Sequence, residues 1–146
     1  MRQKLGPERH NGIADTLVVV PAFNEQNNIV GVLREIQSSL PSADILVVND
    51  CSHDATAAFA RNFDGVCVID LPCNLGIGGA MQTGFKYALS KDYQYVVQVD
   101  GDGQHVASEV GALFEKMQQE RCDMVIGSRF LDVDSFRTTW CRRLGI

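Results

Sequence analysis

The apolar residues of this chain follow two alternating rhythms. Short Val-rich runs, beginning with Thr16–Ala22, have the length and β-branched content of buried strands. Further runs at 44–48, 66–71 and 95–99 predict three more strands, and 124–126 a short fifth. Between them, apolar residues recur every three or four positions. Ile29, Val32, Leu33, Ile36 and Leu40 form one stripe of a helix predicted over 25–40, which Pro41 ends. A short helix is predicted over 54–62, with Ser52 or His53 near its cap. A Gly-rich turn at 74–79 opens a helix to about Ser90, with Met81, Phe85 and Leu89 as its apolar stripe. Another is predicted over 106–120, with Val110, Leu113, Phe114 and Met117 inward. From Leu131 onward the pattern is irregular or helical.

Strands that alternate with helices imply βαβ units and a mostly parallel sheet covered on both faces, an α/β, Rossmann-like architecture. In such sheets ligands bind beyond the carboxyl ends of the strands. Those ends carry the polar residues of interest: Asn24 and Glu25, then Asn49 and Asp50, then Asn74 and Gly76, then Asp100 and Asp102.

Composition narrows the function. With 146 residues the chain has material for one domain. The 45% hydrophobic and 21% charged content is that of an ordinary globular protein, and a net charge of -5 argues against nucleic acid as a partner. The longest apolar run is too short to span a bilayer, and the polar residues 1–15 read as an N-terminal extension without a signal-peptide core. Five cysteines, with no Cys-x-x-Cys pair, read as reduced thiols of a cytoplasmic protein.

The end of the fourth strand is the most informative. Val96, Val97 and Val99 lead into Asp100-Gly101-Asp102-Gly103-Gln104. Carboxylates this close repel unless a cation lies between them, and such oxygen ligands suit Mg2+ or Mn2+. The spacing by itself leaves two readings, a metal site or a solvated Asp-Gly turn. Likewise the 76–79 turn is either a phosphate cradle or a flexible connection, and Asp50 either contacts a nucleoside or caps a turn. The turn is no dinucleotide fingerprint, because Met81 stands where its third glycine belongs.

Five motifs in order cover residues 16–143: Val18-Val19-Val20-Pro21-Ala22-Phe23-Asn24-Glu25; Val47-Val48-Asn49-Asp50-Cys51-Ser52-His53-Asp54; Asn74-Leu75-Gly76 with Gly84-Phe85; Asp100-Gly101-Asp102-Gly103-Gln104-His105; and Ile126-Gly127-Ser128-Arg129-Phe130. In this the chain resembles the family 2 glycosyltransferases of the GT-A fold, above all the dolichyl- and polyprenyl-phosphate sugar synthases. The resemblance implies that Pro21, Phe23, Glu25 and Asp50 line a nucleoside pocket, with Gly76 beside the cofactor. It implies that Asp100, Asp102 and Gln104 surround a divalent cation and the pyrophosphate, and that Arg129 and Arg142 face phosphate. The implied reaction is inverting transfer of a sugar from a UDP- or GDP-sugar to a polyprenyl or dolichyl phosphate or a cell-envelope glycan.

Five positions depart from the family pattern. Asn49 replaces an Asp, Cys51 a Gly or Ser, and Phe23 a Tyr, and Val106 and Ala107 stand where proline often follows. The family's domain usually runs longer, so residues 16–146 are expected to be its donor-binding part, truncated at the C-terminus. The tail, with Phe136, Trp140, Arg137, Arg142 and Arg143, reads either as a peripheral contact with the cytoplasmic face of a membrane or as a helix packing on the rest of the domain. Two rival functions are a non-catalytic nucleotide-sugar-binding fragment and a Rossmann-type dinucleotide enzyme. The sequence leaves the oligomeric state undefined.

Overall fold

A computed structural model of the chain describes residues 15–103 and 107–127. It divides into two compact units, Met1–Val110 and Gly111–Ile146. The first holds a four-stranded, fully parallel sheet. Its strands are β1 (Thr16–Ala22), β2 (Asp44–Asn49), β3 (Val66–Asp70) and β4 (Tyr95–Gln98), in the order β3-β2-β1-β4. Helices α1 (Ile29–Ser39), α2 (Thr56–Arg61) and α3 (Gly76–Ser90) connect successive strands. The chain builds outward from β1 to β3, then returns to lay β4 on the other side of β1. The topological switch point therefore lies between β1 and β4, where open α/β sheets bind ligands.

The two central strands read as unbroken apolar runs because both their faces are buried. Leu17, Val19, Leu46 and Val48 share a core with Ala80, Met81 and Ala88 of α3. Val18, Val20, Ile45 and Val47 alternate onto the opposite face and are equally buried.

Helix α3 departs from the expected stripe. Its buried residues are Ala80, Met81, Gly84 and Ala88, whereas Phe85 is 49% and Leu89 77% exposed. Steric closeness explains the rotation. A Cβ on Gly84 would lie 2.6 Å from Val19 Cγ1, so the helix rests on the sheet through its small residues and turns its large ones outward.

Two helices start later than the bounds predicted for them. Helix α1 begins at Ile29, the first residue of its apolar stripe, and before it the backbone N–H groups of Glu25 and Gln26 donate to Thr56 Oγ1 and Asp54 Oδ2. Helix α2 begins at Thr56, whose own N–H and hydroxyl donate to Asp54 Oδ1. Its N-cap residue is Ala55, not Ser52 or His53.

A short 3-10 turn, Ala107–Glu109, leads into α4 (Val110–Glu120). Val110 and Phe114 are buried, as the period predicts. The fifth strand expected at 124–126 does not form: the segment is irregular, and Met124 and Ile126 are 72% and 77% exposed. Among the described residues no helix is long and apolar enough to cross a membrane.

Candidate functional site

The register brings three strand ends level. Ala22 pairs with Asn49, and Asn49 with Asp70. Beyond them the ladder runs on by one bond each, from Asp50 N–H to the Ala22 carbonyl at 2.9 Å and from Leu71 N–H to the Asn49 carbonyl at 2.9 Å. On the other side β4 pairs only as far as Val19 with Gln98, and Val99 N–H then donates to the Val19 carbonyl. Two residues on, Pro21 points its nitrogen, which has no hydrogen to donate, toward the β4 side. There the strands part and a cleft opens.

The cleft has a volume of about 190 Å³ and is lined by Pro21, Ala22, Phe23, Glu25, Asp50, Ile77, Ala80, Asp100, Gly101 and Asp102. Six residues singled out from sequence thus meet in one place: Pro21, Phe23, Glu25, Asp50, Asp100 and Asp102. Gly76 does not line it. Its N–H is held by Asn74 Oδ1 at 3.0 Å, and the preceding N–H, of Leu75, by Asp50 Oδ1 at 2.7 Å. Two N–H groups of the glycine-rich turn are thus taken by protein acceptors, and its Gly76 is left-handed (φ 71°) at the start of α3. Gln104, Arg129 and Arg142 lie outside the described residues.

Each acid in the cleft has its own setting. Asp50 is only 4% exposed, and its bond to Leu75 N–H ties the end of β2 to the start of α3. The turn-shaping reading of this residue is realised in that bond, and Asp50 also lines the cleft. Glu25 Oε2 accepts from Asn28 Nδ2 at 2.8 Å. Asp100 Oδ1 accepts from Gln98 Nε2 at 2.8 Å. Asp102 sits between Gly101 and Gly103. Gly101 is needed for close approach, since a Cβ there would stand 3.1 Å from the Pro21 carbonyl oxygen, and Gly103 takes φ 75°.

The donor set fits a hard divalent cation. Mg2+ and Mn2+ prefer carboxylate oxygens, and Mg2+ is commonly held by one or two carboxylates with substrate phosphates completing its shell. Asp100 and Asp102 supply that pair at the cleft wall. Among the described residues no three His, Cys, Asp or Glu side chains gather into a full protein cage.

Two departures from the family pattern now have physical accounts. Asn49 Nδ2 donates to Asp70 Oδ1 at 2.9 Å, where an aspartate would set two carboxylates against each other. Arg61 also pairs with Asp70. Cys51 adopts φ 62°, a left-handed conformation that a glycine, one of the two residues usual here, takes more readily than a thiol-bearing residue. The four described cysteines are free thiols.

Sequence reasoning missed Ile77, 58% exposed at the mouth of the cleft, and Ala80 behind it. It also missed the side chains that join the loops after β1 and β2. Asn24 and the Asp54-x-Thr56 spacing were the available signals, since short polar side chains at strand ends seek backbone partners.

Comparison with known proteins agrees with this geometry. The model of the family described as Glycosyl transferase family 2 matches residues 17–144. Polyprenol monophosphomannose synthase of Mycolicibacterium smegmatis is 33% identical over 134 residues, covering 88% of this chain and 50% of that protein. Undecaprenyl-phosphate mannosyltransferase of Micrococcus luteus is 32% identical over 117 residues, covering 77% of this chain and 47% of that protein. The chain thus spans about half the length of these curated relatives. Among solved structures, a mannosyltransferase from Pyrobaculum calidifontis, in complex with GDP-Man and Mn2+, shares the fold with a TM-score of 0.56 at 21% identity, over 67% of this chain and 30% of that one.

Proposed function

The chain belongs to glycosyl transferase family 2, and from that premise we propose that its cleft binds a nucleoside-diphosphate sugar together with Mg2+ or Mn2+. The whole protein, on this reading, transfers the sugar to an anionic polyprenyl or dolichyl phosphate. The observation that carries the proposal is the meeting of Pro21, Phe23, Glu25 and Asp50 with Asp100 and Asp102 at the switch point of the sheet. The relatives' names support the lipid-phosphate acceptor and the mannosyltransferase complex supports the cation. A volume of about 190 Å³ suits one part of such a donor, since sites for whole drug-sized ligands run to roughly 300–1,000 Å³.

In this mechanism Phe23 and Pro21 give the nucleoside an apolar wall, and Glu25 and Asp50 accept its hydrogen bonds. Asp100, Asp102 and Gln104 would hold the divalent cation, and the cation would neutralise charge developing on the departing diphosphate. Gly101 keeps the backbone low enough for the phosphates to approach. Arg129 and Arg142 are assigned to phosphate. The acceptor oxygen attacks the anomeric carbon with inversion as the nucleoside diphosphate leaves with the bonding electrons. A phosphate acceptor is already anionic, so the step requires no general base.

Titration calorimetry with UDP and GDP, each with and without Mn2+, tests the binding half. Saturable binding of one of them that requires Mn2+ is the expected result. Equal binding without the metal, or binding of neither, contradicts the proposal. Radiolabelled sugar transfer to polyprenyl phosphate tests the rest.

A further inference from the structure

The nucleoside wall of the cleft stands on two loops, 23–28 after β1 and 50–55 after β2, that belong to neither sheet nor helix. Five hydrogen bonds tie the first loop to the second and to Thr56, the first residue of α2, and all have the same form, a backbone N–H donating to a side-chain acceptor. Asn24 N–H donates to Ser52 Oγ at 3.0 Å, and His53 N–H returns to Asn24 Oδ1 at 2.9 Å. Gln26 N–H donates to Asp54 Oδ2 at 3.2 Å, and Ala55 N–H returns to Gln26 Oε1 at 3.1 Å. Between these reciprocal pairs Glu25 N–H donates to Thr56 Oγ1 at 2.7 Å, and Thr56 is fully buried. The donors and acceptors interleave along both loops, so neither loop can shift without breaking bonds at several residues.

The cleft residues Phe23 and Glu25 alternate with the clamp residues Asn24 and Gln26. Asn24 takes φ 57°, which turns its side chain toward the second loop and leaves its neighbours facing the cleft. Asn is among the few residues that enter this conformation readily, and its Oδ1 is the acceptor that His53 requires. The Phe23 ring meets the His53 ring edge-on at 6.3 Å, so the clamp also sets the inclination of the apolar wall.

We infer that Asn24 and Asp54 are positioning residues for the donor: they fuse the loops after β1 and β2 into one preformed body, so that Phe23 and Glu25 are in place before the nucleoside arrives. This rests on the proposed donor cleft. Fixing the loops in advance removes their ordering cost from binding, which is the general source of affinity in preorganised sites.

Asn24→Gly and Asn24→Asp separate this role from ordinary stability. Glycine accepts the left-handed backbone but removes the Oδ1 acceptor, whereas aspartate keeps both. The experiment measures the Kd of the nucleoside diphosphate that binds wild type with Mn2+, together with amide hydrogen exchange at His53 and Ala55. The expected result is at least a tenfold weaker Kd and faster exchange in Asn24→Gly, with Asn24→Asp within about twofold of wild type. Asp54→Asn, which places a donor against Gln26 N–H, is expected to weaken binding in the same direction. Wild-type affinity in Asn24→Gly, or equal weakening in Asn24→Asp, overturns the inference and leaves the donor site standing. If wild type binds no nucleoside diphosphate, the donor cleft itself falls and the positioning role falls with it.

Discussion

The two walls of the cleft are built on different plans. On the β1–β2 side the acid is buried: Asp50 is 4% exposed and bonded to the backbone at the start of α3, and the loops beside it are cross-linked. On the β4 side Asp100 and Asp102 are only half-buried and alternate with Gly101 and Gly103. The first wall is fixed by its own hydrogen bonds. The second places two carboxylates of like charge on a glycine-rich turn, an arrangement that a bound cation stabilises. An acid can therefore line a ligand site and still belong to the fold, as the burial of Asp50 and its bond to Leu75 N–H show.

That contrast can be broken at several points. Removing Asp50 has the largest expected effect on the ligand-free protein. Asp50→Ala leaves Leu75 N–H without its acceptor and loosens the start of α3, at a cost of about 1–3 kcal/mol. Urea unfolding followed by circular dichroism reads this directly. A smaller effect is expected for Gly101→Ala, whose new methyl meets the Pro21 carbonyl oxygen at 3.1 Å. A loss of about 1 kcal/mol, comparable to mild overpacking, is expected in the same assay, with weaker nucleotide binding.

Cys51→Gly works in the opposite direction. It relieves the left-handed φ of 62° at roughly 1–2 kcal/mol but adds the chain entropy of glycine at roughly 0.5–1 kcal/mol. A net gain of about 0.5–1 kcal/mol follows, seen as a rise in Tm of a few degrees.

The smallest effect concerns acid. Some desolvation pushes the Asp54 carboxyl up, but hydrogen bonds from the Thr56 side chain, the Thr56 backbone and Gln26 outweigh it and hold the group below its ordinary value of 3.8. A lowered carboxylate contributes stability that is complete above that value and is lost as pH falls through the folded one. Wild type should therefore lose stability on acidification below about pH 4 more steeply than Asp54→Asn, measured as the urea midpoint at pH 5 and pH 3.

Much of this site was legible in the sequence, because parallel sheets place function at strand ends and the strand ends here are short and polar. β1 was bounded correctly at Thr16–Ala22, and its last residues with those after β2 and β4 form the cleft. Hydrophobicity misled where shape decided. Phe85 and Leu89 are more apolar than Gly84, yet Gly84 faces the sheet because only glycine lets α3 approach Val19. Side-chain capture of backbone donors was equally hidden. The apolar stripe of α1 starts at Ile29, and nothing in it disclosed that Asp54 and Thr56, some thirty positions away, take the N–H groups of Gln26 and Glu25. The segment at 124–126 had the apolar residues of a strand, yet it is irregular and two of the three are exposed.

The central claim is that the two walls divide their labour, one holding the fold and one holding the charged end of the ligand. Thermal melting of wild type, Asp102→Ala and Asp50→Ala, each with Mn2+ and with and without a nucleoside diphosphate at about 100 times its wild-type Kd, tests it most directly. Wild type should gain about 2.7 kcal/mol from the ligand. Asp102→Ala should lose that gain, whereas Asp50→Ala should melt lower when ligand-free. An Asp102→Ala protein that keeps the full metal-dependent gain, or an Asp50→Ala protein that melts like wild type when ligand-free, would contradict the account.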